Sequence, residues 1–234
     1  MCVTWGKQLM IQLVLFDIDG TLTHTSGAGE KAFARAFANH FGVAHGADKL
    51  RFAGRTDPGI VREFFLQNAI EPSPENLARF FDAYVFLLDH MLQTLPGGVH
   101  PGVWAWLHDL RVLPHRPTVG LLTGNIRLGA EIKLRRFDLW EQFETGGFAD
   151  DSMERNEIAV AAKRRGEALL GRQLRGEEIL VIGDTPLDIA CARHIGAKVI
   201  AVGTGQFRAA ELLAHQPDWA VESLEQLNAR DICA

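Results

Sequence analysis

Apolar positions along this chain fall into two rhythms. Short, nearly unbroken runs occur at Leu13-Val14-Leu15-Phe16, Thr118-Val119-Gly120-Leu121-Leu122, Ile179-Leu180-Val181-Ile182 and Lys198-Val199-Ile200-Ala201-Val202. Their length and branched side chains suit strands buried on both faces of a parallel sheet. Between them, apolar residues recur at helical spacing around Val103, Trp106, Leu107 and Leu110, from Glu131 to Arg136, and from Arg155 to Leu170. A further strand is expected between Phe143 and Phe148. Strands alternating with helices predict an α/β fold with a doubly wound parallel sheet.

The stretch after Thr21 breaks this alternation. Up to about Leu95 it is rich in helix formers and aromatics and offers few buried strands. Phe33, Phe37 and Phe41 recur every four residues, while Leu77, Phe81, Tyr84, Leu88, Met91 and Leu95 alternate spacings of four and three. Both stripes read as core packing. Pro96-Gly97-Gly98 ends the segment. The expected organisation is an α/β core over residues 1–24 and 96–234, with an α-helical insert over 25–95.

Composition narrows the class. Of 234 residues, 47% are hydrophobic and 23% charged, with 29 acidic against 24 basic residues and a net charge of -5. This is ordinary globular composition, and its acidic excess speaks against nonspecific nucleic-acid binding while permitting a local basic pocket. Cys2, Cys191 and Cys233 are too scattered for a disulfide framework or a zinc pair, which fits a cytoplasmic setting. The N-terminal stretch through Phe16 has one Lys and a short apolar run that leads straight into Asp17 without a small-residue cleavage site, and it reads as the first strand. No run of about 18 apolar residues suggests a membrane span.

Candidate chemistry collects at the strand ends. Asp17 and Asp19 follow the first strand, with Gly20 supplying the turn; Thr123-Gly124-Asn125 follows the second; Asp184 and Asp188 follow the strand at Ile179. In an open parallel sheet these ends face one ligand crevice. Paired carboxylates repel unless a cation or a shifted pKa relieves them, and hard oxygen donors suit magnesium. The Thr123 hydroxyl and the backbone N–H groups at a helix start suit a phosphate. Taken singly, each element is also compatible with a turn or cap.

Together, in this order, Asp17-Ile18-Asp19-Gly20-Thr21, Leu121-Leu122-Thr123-Gly124-Asn125 and Gly183-Asp184-Thr185-Pro186-Leu187-Asp188 resemble three motifs of the haloacid dehalogenase superfamily. That family has a Rossmann-like core, and the helical segment sits where it carries a small cap. Its remaining motif usually supplies a Lys. In Asp150-Asp151-Ser152-Met153-Glu154-Arg155 the resemblance gives Arg155 this role. Lys163 and Lys133 are the alternatives, though each reads more simply as a solvated helix residue.

The resemblance implies a magnesium-dependent phosphatase acting on a small phosphorylated metabolite. Asp17 would attack phosphorus, and Asp19 would serve as general acid and then general base. The metal would be held by Asp17, the Asp19 carbonyl, Asp184 and Asp188. Gly20, Thr123, Gly124, Asn125 and Arg155 would bind the phosphoryl group. An acid at position 19 disfavours dehalogenation. Ala53-Gly54-Arg55-Thr56-Asp57-Pro58 resembles the phosphoglycolate phosphatase group, with Arg55 either reaching an anionic substrate or remaining a surface arginine. Asp57 is expected to cap its own helix, with Pro58 at the first helical position. A sugar phosphomutase and a catalytically silent phospho-ligand-binding module are the alternative functions.

Overall fold

The computed structural model describes residues 10–234; Cys2 and the N-terminal stretch before Met10 lie outside the described residues. In chain order the strands are β1 (Leu13–Phe16), β2 (Thr23–His24), β3 (Gly98–Val99), β4 (Thr118–Leu122), β5 (Thr145–Gly147), β6 (Ile179–Gly183), β7 (Lys198–Val202) and β8 (Trp219–Val221). The α-helices are α1 (Ala28–Phe41), α2 (Asp57–Gln67), α3 (Pro74–Thr94), α4 (Val103–Val112), α5 (Arg127–Arg135), α6 (Arg155–Leu170), α7 (Pro186–His194), α8 (Ala209–Leu212) and α9 (Ala229–Cys233). Six strands form one parallel sheet in the order β5-β4-β1-β6-β7-β8. From β1 the chain steps outward to β4 and β5, then returns to β6 on the other side. The crevice at that reversal lies at the C-terminal end of β1.

Strand alternation divides the core. Leu13, Leu15 and Val181 pack with Ile158 and Ile189 on one face. Val14, Phe16, Leu180 and Ile182 pack with Trp106, Leu110 and Leu134 on the other. Each fully buried side chain of this size contributes roughly 1.5–3 kcal/mol. Between β2 and β3 the chain is mainly helical, and α1, α2 and α3 share an aromatic cluster. The Phe37 ring lies 4.1 Å from Phe64 and 4.4 Å from Phe80, while Phe33 lies 4.6 Å from Tyr84, measured between centroids. On α3, Phe80 is fully buried where the spacing favoured Phe81, because Phe80 is the ring facing Phe33, Phe37 and Phe65. Leu95 caps α3 rather than extending it.

Several element bounds depart from the sequence pattern. Helix α5 begins at Arg127, ahead of Glu131. Strand β5 is confined to Thr145–Gly147, and a Cβ on Gly147 would lie 2.4 Å from the Ile158 carbonyl oxygen. Close seating of α6 there leaves no side chain to announce the strand. Among the described residues, no helix is long and apolar enough to cross a membrane.

Candidate active site

Asp17 leaves β1 with its backbone N–H bonded to the Ile182 carbonyl at 2.9 Å, which fixes the strand end against β6. Its carboxylate is buried beside Asp184 and Asp188, and one oxygen from each of the three lies within 4.8 Å of the others. Arg155, at the first turn of α6, reaches Asp17 Oδ1 at 3.4 Å through Nη1 and bonds Asp188 Oδ1 through Nη2. Three buried carboxylates thus cluster around one guanidinium that pairs with two of them, Asp17 and Asp188. Burial and then the Asp188 charge push Asp17 up to about 7 against the pull of Arg155. Burial, with Asp188 and Asp17, likewise pushes Asp184 well above the ordinary carboxylate range. Burial works against the Arg155 charge, but Asp188 and Asp17 outweigh it and hold the guanidinium protonated.

Glycines close around Asp184. A Cβ on Gly20 would lie 2.5 Å from its Oδ2 and one on Gly205 1.7 Å, so neither position has room for a side chain. Gly20 also has φ +83°, a conformation that favours glycine. Thr21 Oγ1 donates to Asp184 Oδ1 at 3.1 Å, and Thr204 Oγ1 donates to the Gly20 carbonyl at 2.6 Å. Asp188 completes the capping box of α7, whose N-cap is Thr185: Thr185 donates to its Oδ2 from backbone N at 3.0 Å and from Oγ1 at 2.7 Å. All three acids offer only oxygen donors, and their charge exceeds that of Arg155. The residues therefore fit a hard divalent cation, with Asp17 and Asp184 as the carboxylates least committed to other partners.

Asp19 sits on the other side of the crevice. Its Oδ2 accepts from Lys133 Nζ at 2.6 Å and from Asn125 Nδ2 at 2.8 Å. Asn125 Oδ1 accepts from Lys133 at 2.7 Å, and Asn125 Nδ2 also reaches Thr123 Oγ1 at 2.8 Å. Lys133 is therefore buried, not solvated as its helical context suggested. Burial works against its charge, but Asp19 and Asp57 hold it above the ordinary lysine range. Lys163, the other alternative cation, lies along α6 with Glu167 at 3.9 Å.

A cavity of about 1020 Å³ opens over these groups and is lined from the helical segment by Phe33, Arg51, Phe52, Arg55 and Tyr84. Arg55 bonds Glu63 and the Arg51 carbonyl. Asp57 does not cap its own helix: Thr56 stands at that position. The Asp57 carboxylate accepts the Ile126 N–H at 2.9 Å, and its own N–H donates to the Gly124 carbonyl at 2.7 Å, joining α2 to the start of α5. Burial pushes Asp57 up to about 7 despite Lys133 nearby. The His24 and His100 rings lie 5.4 Å apart between centroids, tilted by 54°, beside the pairing of β2 with β3. Of the residues at this site, Gly205 and Thr204 carried no assignment in the sequence, Thr21 stood in the first motif without a role, and Tyr84 was read as core packing; the Gly203-Thr204-Gly205 run after β7 was the available signal for the first two.

The haloacid dehalogenase-like hydrolase family model matches residues 14–193. A phosphoglycolate phosphatase from Synechococcus elongatus is 29% identical over 224 residues, covering 93% of this chain and 95% of its own. A protein from Caldanaerobacter subterraneus subsp. tengcongensis, provisionally named pyrophosphatase PpaX, is 24% identical over 224 residues, with 94% of each chain covered. The crystal structure of CbbY from Rhodobacter sphaeroides in complex with phosphate is 20% identical, with a TM-score of 0.65 over 82% of this chain and 86% of that one. Motif order, strand-end geometry and the family match agree: the chain belongs to the haloacid dehalogenase-like hydrolases.

Proposed function

We propose that this hydrolase is a magnesium-dependent phosphatase acting on a small phosphomonoester, with residues 25–95 serving as a cap over the site. The observation that carries the reading is the excess of buried carboxylate over guanidinium at the end of β1, with Asp17, Thr123 and Arg155 lining one cavity. Asp17 attacks phosphorus and forms an aspartyl phosphate as the bond to the leaving oxygen breaks. Asp19 protonates that oxygen, then takes a proton from the water that attacks the aspartyl phosphate. Arg155 keeps the attacking carboxylate in place and lowers its affinity for a proton. Thr123, with the backbone N–H groups of Gly124 and Asn125, holds phosphoryl oxygens. Asp17, Asp184, the Asp19 carbonyl and Asp188, directly or through water, would hold magnesium, which when bound would supply positive charge for the transferring group.

The phosphoglycolate phosphatase name of the relative from Synechococcus supports 2-phosphoglycolate as the first substrate to test. The pyrophosphatase name of the other relative adds inorganic pyrophosphate to the panel. Arg55 lines the cavity and is a candidate contact for a second anionic group on the substrate. Phosphate release from a panel of 2-phosphoglycolate, sugar phosphates and pyrophosphate, with magnesium or with chelator, tests the proposal. Release that requires the metal supports it. Isomerised sugar phosphate without free phosphate would replace it with the mutase reading, and unchanged esters throughout would leave a binding module.

A further inference from the structure

The site holds two buried cations and divides them between the two acids of the Asp17-Ile18-Asp19 run. Arg155 serves Asp17 and Asp188, whereas Lys133 serves Asp19. A buried ammonium is costly unless its partners repay the lost hydration, so the placement of Lys133 needs a reason. Its side chain is 5% exposed, while Asp19 is 44% exposed at the cavity. Lys133 Nζ, Asn125 and Asp19 Oδ2 close a three-membered ring of bonds between 2.6 and 2.8 Å. Oδ2 therefore accepts two charged or polar N–H groups at once. The other acidic groups bearing on this corner are Asp57, Glu30 and the Tyr84 hydroxyl.

We infer that Lys133 is the positioning residue for the acid–base carboxyl, locking Asp19 Oδ2 as an acceptor with Asn125 so that Oδ1 alone carries the transferred proton. The inference rests on the phosphatase reading and adds a residue to it. In the first step the Asp19 Oδ1 proton moves to the leaving oxygen while the phosphorus–oxygen bond to that group breaks and the bond to Asp17 forms. In the second, Oδ1 takes a proton from water as the water oxygen bonds to phosphorus and the bond from phosphorus to Asp17 breaks, releasing phosphate. Lys133 neither gains nor loses a proton in either step. A fixed donor oxygen matters because proton transfer needs hydrogen-bond reach and alignment.

The test is the leaving-group dependence of Lys133→Met, measured as the single-turnover rate of alcohol release, which reads the first step alone. Alkyl phosphates need a proton on the leaving oxygen, whereas p-nitrophenyl phosphate does not. The expected loss is about 100-fold on alkyl phosphates and under about 5-fold on p-nitrophenyl phosphate. Because both esters are tested on one protein sample, the ratio is independent of how much of the variant folds. Lys133→Met/Asp19→Asn should be no slower on alkyl phosphates than Asp19→Asn by more than about 3-fold, since coupled residues do not add. Equal losses on both ester types, or multiplicative losses in the double variant, would overturn the inference and leave the phosphatase reading intact. A wild-type protein that releases no phosphate from any ester would overturn both.

Discussion

Gly124→Ala probes how the helical segment is held over the crevice. The φ of Gly124 is not positive, so alanine can adopt the same backbone. The obstacle is steric: the added methyl would lie 2.0 Å from the Arg55 carbonyl oxygen and 2.8 Å from its carbon. Relief requires the Arg55-Thr56-Asp57 segment at the start of α2 to lift from the loop after β4. Lifting breaks the Asp57 N–H bond to the Gly124 carbonyl at 2.7 Å and the Ile126 N–H bond to Asp57 Oδ2 at 2.9 Å. A neutral bond contributes about 1 kcal/mol and one to a carboxylate about 1.5–3, so roughly 2–4 kcal/mol of docking free energy is lost. At 1.4 kcal/mol per decade, that shifts the docked-to-undocked ratio by about 30- to 700-fold. Amide hydrogen exchange reads it directly. Protection of Ile126 and Asp57 should fall by that factor while strands β1 and β6 remain protected. Unchanged protection at Ile126, with kcat/KM within about 2-fold of wild type, would refute the docking argument.

Other perturbations have equally definite signs. Arg155→Met leaves Asp17 and Asp188 buried without their guanidinium, and should destabilise the metal-free protein by about 3–5 kcal/mol. By melting temperature, magnesium should restore more of the variant than of the wild type; equal metal-induced shifts would contradict the charge balance drawn for the site. For Asp57, the pKa raised from 3.8 to about 7 means that the unfolded chain ionises first, so stability is full at acid pH and declines between about pH 4 and 7. Asp57→Asn keeps an acceptor for Ile126 and should gain on wild type by roughly 1–3 kcal/mol between pH 5 and 8; denaturant titration at both pH values would show a constant difference if the burial argument is wrong. For Glu178, hydrogen bonds from Arg172 and the Arg175 backbone hold the carboxyl down at about 2. Its contribution is present above about pH 4.5 and lost as pH falls toward 2. Because Arg172 and Arg175 are largely exposed, Glu178→Gln should cost only about 1 kcal/mol at pH 7 and nothing near pH 2.

The sheet was legible where both faces of a strand are covered. Leu13–Phe16 and Ile179–Gly183 are buried at every position, so their sequences are continuous apolar runs. Strand β5 is small because α6 sits against its glycines, and Trp219–Val221 is only partly buried, so neither shows that pattern. The strand-end acids were legible because they follow readable strands. Lys133 was not: helix α5 is short and charged, and only the tertiary fold turns that residue toward Asp19. Asp57 misled for the same reason. A local capping pattern, Asp before Pro, was present, but the carboxylate found a better donor in Ile126, far away in sequence.

The central claim is that Asp17 takes the phosphoryl group. Borohydride quenching during turnover of a phosphate ester with magnesium, followed by peptide mass spectrometry, tests it most directly, because an acyl phosphate is reduced while a free carboxylate is not. Homoserine is expected in place of aspartate at position 17, and no such reduction in Asp17→Asn or without substrate. Reduction at another acid, or turnover that persists in Asp17→Asn, would contradict it.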